Sequence, residues 1–164
     1  MLPVRSIKQK AGYTCGPTCI AMLAKYYNLQ LSWAAIMRAC RIDRNGMSND
    51  DLVQALRRLG FSVEARSRLS WNDMRAFSRK RLPVVIAWML HGYIGHFSIA
   101  VDAGERHLVL ADPDSGKLRK LHKDVFMRLW FDYDEAFFPK RAKDLHLRWG
   151  AIIHGVRHDV RNSR

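Results

Sequence analysis

The sequence predicts an α+β fold in which helices come first and an antiparallel sheet follows. In residues 18–59, apolar side chains recur every three or four positions, which is the period of a helix with one buried face. In residues 82–121, short apolar runs are separated by turns that contain Gly, Pro and Asp. This order of elements is typical of an α+β architecture.

Four helices are predicted in the first half of the chain, and three of them begin at a serine that can cap the first turn. The helix that begins at Ser48 is the clearest, because a capping arrangement precedes an apolar stripe from Leu52 to Leu59. Gly60 is expected to end it in the left-handed conformation. The predicted helices are residues 18–27, 32–40, 48–59 and a fourth that starts at Ser70.

Five strands are predicted, from alternating side chains or from short apolar runs. Residues 61–65 alternate apolar and polar side chains, whereas residues 83–89 form an apolar run that predicts a buried strand. A turn at residues 112–116, with Pro and Gly where turns favour them, separates the last two strands. The predicted strands are residues 61–65, 83–89, 96–101, 107–111 and 118–121, and a helix follows at residues 123–130.

With 164 residues, of which 48% are hydrophobic, the chain is long enough to form one domain around a core. We assign residues 1–138 to this domain and residues 139–164 to a basic C-terminal extension. The residues after Pro139 are weakly patterned, and we expect them to form a final helix and a frayed tail.

The chain is expected to be soluble and cytoplasmic. Residues 1–10 lack the apolar run of a secretory signal. The most apolar stretch, residues 82–101, is long enough to span a bilayer, but Pro83 and two histidines interrupt it. Two buried strands joined by a Gly-containing hairpin explain this stretch better.

The chain has three cysteines, Cys15, Cys19 and Cys40. Their odd number argues against a framework of disulfides, and unpaired cysteines agree with a cytoplasmic protein. No cysteine pair stands beside the histidines at the spacing of zinc ligands. The sequence therefore predicts neither a metal site nor a cofactor.

The formal net charge of +13 favours contact with anions such as nucleic acid, acidic lipid or an acidic peptide. The basic residues are spread over the middle and the end of the chain, and no nucleic-acid-binding motif accompanies them. A solvated basic surface is therefore favoured, with nucleic acid or an anionic membrane as the alternative partner.

Cys15 stands at the start of the first predicted helix. Pro17 is accepted in a first helical turn, because the N–H that proline lacks would be unpaired there. The thiol of Cys15 then lies at the positive end of the helix dipole, which favours the thiolate, the nucleophilic form. The alternative is that Cys15 is a small buried apolar side chain.

A thiolate nucleophile needs a base, and His96 is the best placed histidine, because it begins a strand after a glycine turn at a sheet edge that faces a cleft. Asp112 ends the next strand and can lie beside His96 across the hairpin. We expect Asp112 to accept the Nδ1–H of His96, so that Nε2 faces Cys15. The alternatives are that His96 is structural and that Asp112 starts a turn, with Asp114 and Asp102 as rival carboxylates.

Gln9 precedes Cys15 by six residues. Its side-chain amide can reach back across the turn at residues 12–14 and donate to the oxyanion of a tetrahedral intermediate. The backbone N–H of Cys15 is the expected partner donor. Without this role, a lone Gln in a basic N-terminal segment would be exposed to solvent.

The sequence resembles the bacteriocin-processing cysteine peptidases, which are papain-like domains at the N-terminus of exporters that cleave double-glycine leader peptides. The resemblance implies that Cys15 is the nucleophile and His96 the general base and acid. It also implies that Asp112 orients the histidine and that Gln9 donates to the oxyanion. Five ordered blocks carry it: Gln9 with residues 13–22; residues 46–48 leading to 52–56 and 59–61; and residues 82–86, 95–101 and 111–116.

The family implies a papain-like fold, with the cysteine in a helical lobe, the histidine and aspartate in a sheet lobe, and the site between them. It implies cleavage after a Gly-Gly pair through a narrow channel. Family members are usually fused to a transmembrane domain and an ATPase, so a separate ABC exporter is the expected partner here, and it would place the chain at the inner face of the membrane. The alternatives are a non-catalytic peptide-binding module and an amide hydrolase with another substrate.

Overall fold

The computed structural model describes residues 1–133 and 139–157. Helices in this part of the chain are α1 Cys15–Tyr26, α2 Trp33–Ala39, α3 Asn49–Arg58, α4 Trp71–Arg79 and α5 Lys123–Leu129, with a 3-10 turn at Ala142–Asp144. Strands are β1 Phe61–Arg66, β2 Val84–Leu90, β3 Ile94–Ala103, β4 His107–Asp112, β5 Lys117–His122, β6 Phe131–Tyr133, β7 Leu145–Leu147 and β8 Gly150–Val156.

Serine caps set the starts of α2, α3 and α4, as the sequence predicts. Ser32, Ser48 and Ser70 each accept a hydrogen bond from the backbone N–H three residues further on. At Ser70 the carboxylate of Asp73 also accepts from the Ser70 N–H, which completes a capping box. Gly60 follows α3 with a φ of 90°, the left-handed conformation predicted for it.

The main sheet has six strands in the order β1-β8-β2-β3-β4-β5, and its neighbouring strands are antiparallel. A second, two-stranded sheet joins β6 to β7. Strands β1 to β5 and helix α5 lie where the sequence places them, so the predicted α+β class is confirmed. The hairpins β2–β3 and β3–β4 bring residues far apart in the chain onto neighbouring strands.

Helices cover both faces of the main sheet, and for this reason β2 is buried along its whole length. Val85 and Ala87 pack into a core shared with α1, α2 and α3. Val84, Ile86 and Trp88 point the other way, into a core shared with α4 and α5. Helix α1 packs on β3, which sets the start of this helix beside the start of that strand.

The final helix expected after residue 139 is wrong, because the chain forms β7 and β8 there. Strand β8 pairs with β1 on one side and with β2 on the other, so the segment assigned to an extension supplies an interior strand. Residues 151–153 are apolar and fully buried in this position. The apolar run at residues 149–153 is short and lies between Arg148 and His154, and periodicity alone does not assign such a run to a strand. The tail at residues 158–164 lies outside the described residues.

Candidate active site

Cys15 is the first residue of α1, and its side chain is nearly buried. Thr14, at the capping position, turns its hydroxyl away from the helix and donates to the carbonyl of Ala11 at 2.9 Å. The N–H of Thr14 binds the same carbonyl at 3.0 Å, which closes a tight turn before the helix. This turn fixes Cys15 at the helix start, as the sequence predicts.

Gly16 allows close packing directly after Cys15. A Cβ atom at this position would collide with the thioether of Met47 and lie 3.4 Å from the ring of Phe97. The loop before α3 therefore packs against the start of α1, and β3 approaches it from the sheet. A larger residue at position 16 would push these two elements away from Cys15.

His96 lies near the start of β3 and is 4% exposed. Strand β3 pairs with both β2 and β4, but its pairing with β4 begins at Ile99, so among the described strands only β2 lies beside it at His96, with Trp88 opposite. The Nε2 atom of His96 lies 2.8 Å from Oδ1 of Asp112, which confirms the predicted neighbourhood of these two side chains. The side chain of Cys15 lies near enough to the same imidazole to raise its pKa.

The predicted use of the two ring nitrogens of His96 is reversed. We expected Nδ1 to bind Asp112, but Nε2 does so, which leaves Nδ1 for the Cys15 thiol. The two neighbours of the ring lie in different directions, because β4 lies beside β3 within the sheet whereas α1 packs on β3. Spacing along the sequence carries no information on how a ring turns between these two neighbours.

Asp112 is fully buried, and both of its carboxylate oxygens accept hydrogen bonds. Oδ1 accepts from His96, from the Ser98 hydroxyl at 3.3 Å and from the Asp114 N–H at 3.2 Å. Oδ2 accepts from Arg119 Nε at 2.8 Å and from the Ser115 hydroxyl at 3.2 Å. These contacts hold the carboxylate in one orientation.

The charges in this group stabilise one another. Burial alone would lower the pKa of His96, but the hydrogen bonds and negative charges of Asp112 and Cys15 outweigh burial and raise it to about 9. Burial alone would raise the pKa of the Asp112 carboxyl, but hydrogen bonds from His96 and Arg119 hold it well below its ordinary value. At neutral pH, Asp112 is therefore ionised and His96 carries a positive charge.

Gln9 is partly buried and lies close to the turn that follows Asp112. Its backbone N–H donates to the carbonyl of Pro113 at 2.8 Å, and its side-chain Nε2 donates to the carbonyl of Gly12 at 3.1 Å. An amide nitrogen carries two N–H donors, and the bond to Gly12 uses one of them. Gln9 is therefore not fully exposed to solvent, as a Gln without a role in this segment would be.

The other two cysteines differ from Cys15 in their surroundings. Cys19 is fully buried one turn further along α1, and burial, followed by the charges of Cys15 and Asp112, raises the pKa of its thiol well above the ordinary value. Burial and the charge of Asp51 raise the pKa of Cys40 to about 11. Both thiols are therefore protonated at neutral pH.

The two rival carboxylates have other partners. Asp102 accepts from the hydroxyl of Ser78 at 2.8 Å, and Asp114 lies 3.5 Å from Nη2 of Arg119. Among the other histidines, the rings of His107 and His122 stack edge to face, and His154 contacts Glu64 at 3.2 Å. His158 lies outside the described residues.

Sequence reasoning missed the groups that hold Asp112, above all Arg119. The register of β4 with β5 pairs Leu110 with Arg119, which puts Arg119 on the same face as Leu110 and therefore Asp112. The sequence contains the alternation of β5, but the register needed to find Arg119 is set by the turn between the strands.

In residues 1–133 and 139–157, no three His, Cys, Asp or Glu side chains lie close enough together to hold a metal ion. The same residues contain no helix with the length and apolar character needed to cross a membrane.

The helix-borne thiol and the strand-borne imidazole and carboxylate occur here in a papain-like fold. The model of the Peptidase C39 family matches residues 4–141, so the chain belongs to the Peptidase C39 family. The resemblance drawn from the five sequence blocks is thereby confirmed, and the family supports a peptidase function.

Two curated relatives illustrate the range of the match. The chain is 25% identical over 124 residues to the uncharacterized protein MTBMA_c00490 of Methanothermobacter marburgensis, covering 76% of this chain and 81% of that protein. It is 23% identical over 141 residues to the sublancin-168-processing and transport ATP-binding protein SunT of Bacillus subtilis, covering 84% of this chain and 20% of that protein. The chain thus spans about a fifth of this transport protein.

Among solved structures, a double glycine motif protease from an AMS/PCAT transporter, in complex with a leader peptide, superposes with a TM-score of 0.70. The match covers 94% of this chain and 94% of that one, at 18% sequence identity. At this identity the superposition shows the shared fold.

Proposed function

We propose that this chain is a cysteine peptidase in which Cys15 is the nucleophile and His96 the general base and acid. The observation that carries the proposal is one buried imidazole whose Nε2 lies 2.8 Å from Asp112 and whose pKa is raised by both Asp112 and Cys15. A nucleophile, a base and a group that orients the base are the parts that covalent acyl transfer requires.

In the first half of the reaction, the positive charge on His96 favours the thiolate of Cys15. The thiolate attacks the carbonyl carbon of the peptide, and the C–S bond forms as the carbonyl oxygen becomes an oxyanion. The C–N bond then breaks while His96 gives its proton to the leaving amine. The product of this half is a thioester on Cys15.

In the second half, neutral His96 takes a proton from a water molecule, which attacks the thioester carbon. The C–S bond breaks, the carboxylic acid leaves, and the thiolate of Cys15 is restored beside a protonated His96. Asp112 keeps the imidazole in one orientation through both halves, because its Oδ1 stays bonded to Nε2.

We propose that two groups stabilise the oxyanion. The first is the backbone N–H of Cys15, which lies at the positive end of α1. Gln9 supplies the second donor through its remaining amide N–H. The bond from Nε2 to the Gly12 carbonyl directs the nitrogen of the amide, its donor atom, towards the turn that precedes Cys15.

For the substrate, we propose a peptide with a leader that ends in Gly-Gly. The family match, the leader-peptide complex of the double glycine motif protease and the processing role in the name of SunT support this assignment. By the same comparison, a separate ABC exporter is the proposed partner, and association with it would hold the chain at the inner face of the membrane.

The test is cleavage of synthetic peptides followed by mass spectrometry. One peptide carries Gly-Gly before the junction, and a matched peptide carries Ala-Ala. We expect the wild-type chain to cut only the first, directly after the second glycine. Cys15→Ala should abolish turnover, whereas Cys40→Ala, which changes a buried thiol at the end of α2, should retain it.

Equal cutting of both peptides would overturn the Gly-Gly assignment and leave the peptidase assignment standing. Binding of the Gly-Gly peptide without cleavage by the wild-type chain would show a non-catalytic binding module. Turnover by Cys15→Ala would refute the proposed nucleophile.

A further inference from the structure

Asp112 has two carboxylate oxygens, and its contact with His96 depends on what holds the oxygen that does not face the imidazole. Oδ1 binds His96, while Oδ2 accepts from Arg119 Nε at 2.8 Å and from Ser115 at 3.2 Å. Of the groups on Oδ2, the guanidinium is the charged one, and charge-assisted hydrogen bonds are about twice as strong as neutral ones.

The position of Arg119 is fixed by its strand and by a second carboxylate. Arg119 lies on β5 diagonally across from Asp112, at a distance that a long side chain spans. Its Nη2 lies 3.5 Å from Oδ2 of Asp114, so the guanidinium bridges two carboxylates of the same turn. The Arg119 side chain is 28% exposed, whereas that of Asp112 has no exposed surface.

During the proposed reaction, Asp112 must stay ionised at a step when His96 no longer carries a positive charge. When His96 gives its proton to the leaving amine, Asp112 loses its positively charged neighbour while remaining buried. A buried carboxylate without a cation is costly and takes up a proton. Arg119 is a cation that keeps its charge at every step, because a guanidinium does not lose its proton in proteins.

We propose that Arg119 is a positioning residue for the peptidase reaction, which holds Asp112 ionised and keeps Oδ1 directed at His96 while the imidazole loses and regains its proton. This inference rests on the function proposed above. Arg119 acts through Asp112 and lies on the far side of the carboxylate from the imidazole.

The charged and titratable groups around Asp112 determine how the loss of Arg119 would change a pH profile. Those in contact or within electrostatic reach are His96 on β3, Arg119 and Lys117 on β5, Asp114 in the turn, and Cys15 and Cys19 on α1. Of these, His96 and Arg119 lower the pKa of the Asp112 carboxyl. Removing the Arg119 charge therefore raises that pKa, and Asp112 becomes protonated at a higher pH.

The experiment measures the rate at which iodoacetamide alkylates Cys15 between pH 2 and pH 9, with the site identified by peptide mass spectrometry. In Arg119→Met the acid limb of this profile should move to higher pH by about one unit, the size expected for loss of a neighbouring opposite charge. Arg119→Lys keeps the charge, so its acid limb should move less than that of Arg119→Met.

Lys120→Met is the matched control, because it removes one charge from the same strand at an exposed position on the other face. Its profile should coincide with that of wild type. A merely structural Arg119 would change the thermal midpoint of Arg119→Met without moving the acid limb, and that result, in a folded variant, overturns the inference.

If Arg119→Met does not fold, the alkylation profile of Arg119→Gln is compared with that of Arg119→Lys instead. Glutamine retains an N–H donor for Oδ2 without the charge. A shifted acid limb in Arg119→Gln with a smaller shift in Arg119→Lys supports the inference, and coincident profiles in both contradict it.

Peptide cleavage separates this inference from the proposed function. In Arg119→Met we expect kcat to fall about tenfold with KM unchanged, because the residue does not touch the peptide. A wild-type chain that cuts no peptide, together with a shifted alkylation profile in Arg119→Met, would refute the peptidase and leave the role of Arg119 intact. An active wild-type chain, together with an unshifted alkylation profile in Arg119→Met, would support the peptidase and refute the role of Arg119.

Discussion

Trp88 and His96 face each other on the paired strands β2 and β3, with ring centroids 6.0 Å apart and ring planes at 69°. The indole N–H of Trp88 donates to Ser98 at 3.1 Å, and Ser98 donates in turn to Asp112. Trp88 is 1% exposed, so it keeps water from this side of the His96–Asp112 pair. Low polarity around the pair strengthens its electrostatic interaction.

Replacing Asp112 should act on the charge of His96 more than on packing. Asp112→Asn keeps the shape and one acceptor oxygen but removes the negative charge that raises the pKa of His96. We expect kcat/KM at pH 7 to fall about tenfold and the alkaline limb of the pH profile to move to lower pH.

Asp112→Ala removes the acceptor as well and should lose more activity than Asp112→Asn. Steady-state cleavage of the Gly-Gly peptide between pH 5 and pH 10 measures both effects. An alkaline limb that stays in place in Asp112→Asn would show that the carboxylate does not set the charge of His96.

The three cysteines should react with iodoacetamide at very different rates. Cys15 lies beside the cationic His96, whereas burial keeps the thiols of Cys19 and Cys40 protonated, with a pKa of about 11 for Cys40. Because the thiolate is the reactive form, we expect Cys15 to be labelled at least about a hundredfold faster at pH 7.

Peptide mass spectrometry after short labelling times measures the three rates in one sample. His96→Gln, which removes the cation, should bring the Cys15 rate down towards that of an ordinary thiol. Equal rates at Cys15 and Cys40 in the wild-type chain would contradict the paired thiolate.

Stability should be greatest between about pH 4 and pH 6.5 and should fall on either side. The pKa of His96 is raised from 6.5 to about 9 in the folded chain, so its contribution is fully present below pH 6.5 and is lost as the pH rises to 9. The pKa of Asp112 is lowered from 3.8, so its contribution is present above about pH 4 and is lost at lower pH.

Urea unfolding at several pH values between 3 and 9 measures this dependence. The loss between pH 6.5 and pH 9 should be on the order of 3 kcal/mol, and it should disappear in His96→Gln. His154→Gln is the control, because His154 is exposed and pairs with Glu64. If stability still falls between pH 6.5 and pH 9 in His96→Gln, the fall is caused by other titratable groups.

A chain that ends at residue 138 should not fold cooperatively, although residues 1–138 contain the four proposed site residues. Without β8, strand β1 loses its partner in the main sheet and β2 loses one of its two neighbours. The truncation also removes buried Trp149 and the buried residues 151–153.

Circular dichroism during heating compares this chain with one that ends at residue 157. We expect a sharp transition for the longer chain and a broad one for the shorter. A sharp transition at the same temperature in both would show that β8 is dispensable and would support a separate extension after residue 138.

Much of the fold follows from patterns that are local in the chain. Serine caps at Ser32, Ser48 and Ser70 mark the helix starts, and the apolar run of β2 indicates a strand buried on both faces. Strand β8 was missed because its character depends on the two strands that enclose it. Whether a short apolar run forms a strand depends on strands that are distant in the chain, and the periodicity of the sequence does not show which strands will pair.

The candidate site divides in the same way. The position of Cys15 at a helix start follows from Pro17, which is accepted in a first helical turn, and the neighbourhood of His96 and Asp112 follows from one hairpin. Arg119 enters the site through the register of β4 with β5, which no spacing in the sequence reveals.

The sequence by itself determined the helix that presents Cys15, the strands that carry His96 and Asp112, and the family to which the chain belongs. The tertiary structure decided which imidazole nitrogen meets the carboxylate, which cation holds the carboxylate's other oxygen, and where the last strand inserts. The physical reason is that helix caps, turns and buried runs depend on neighbouring residues, whereas ring orientation, strand register and strand order depend on packing between segments far apart in the chain.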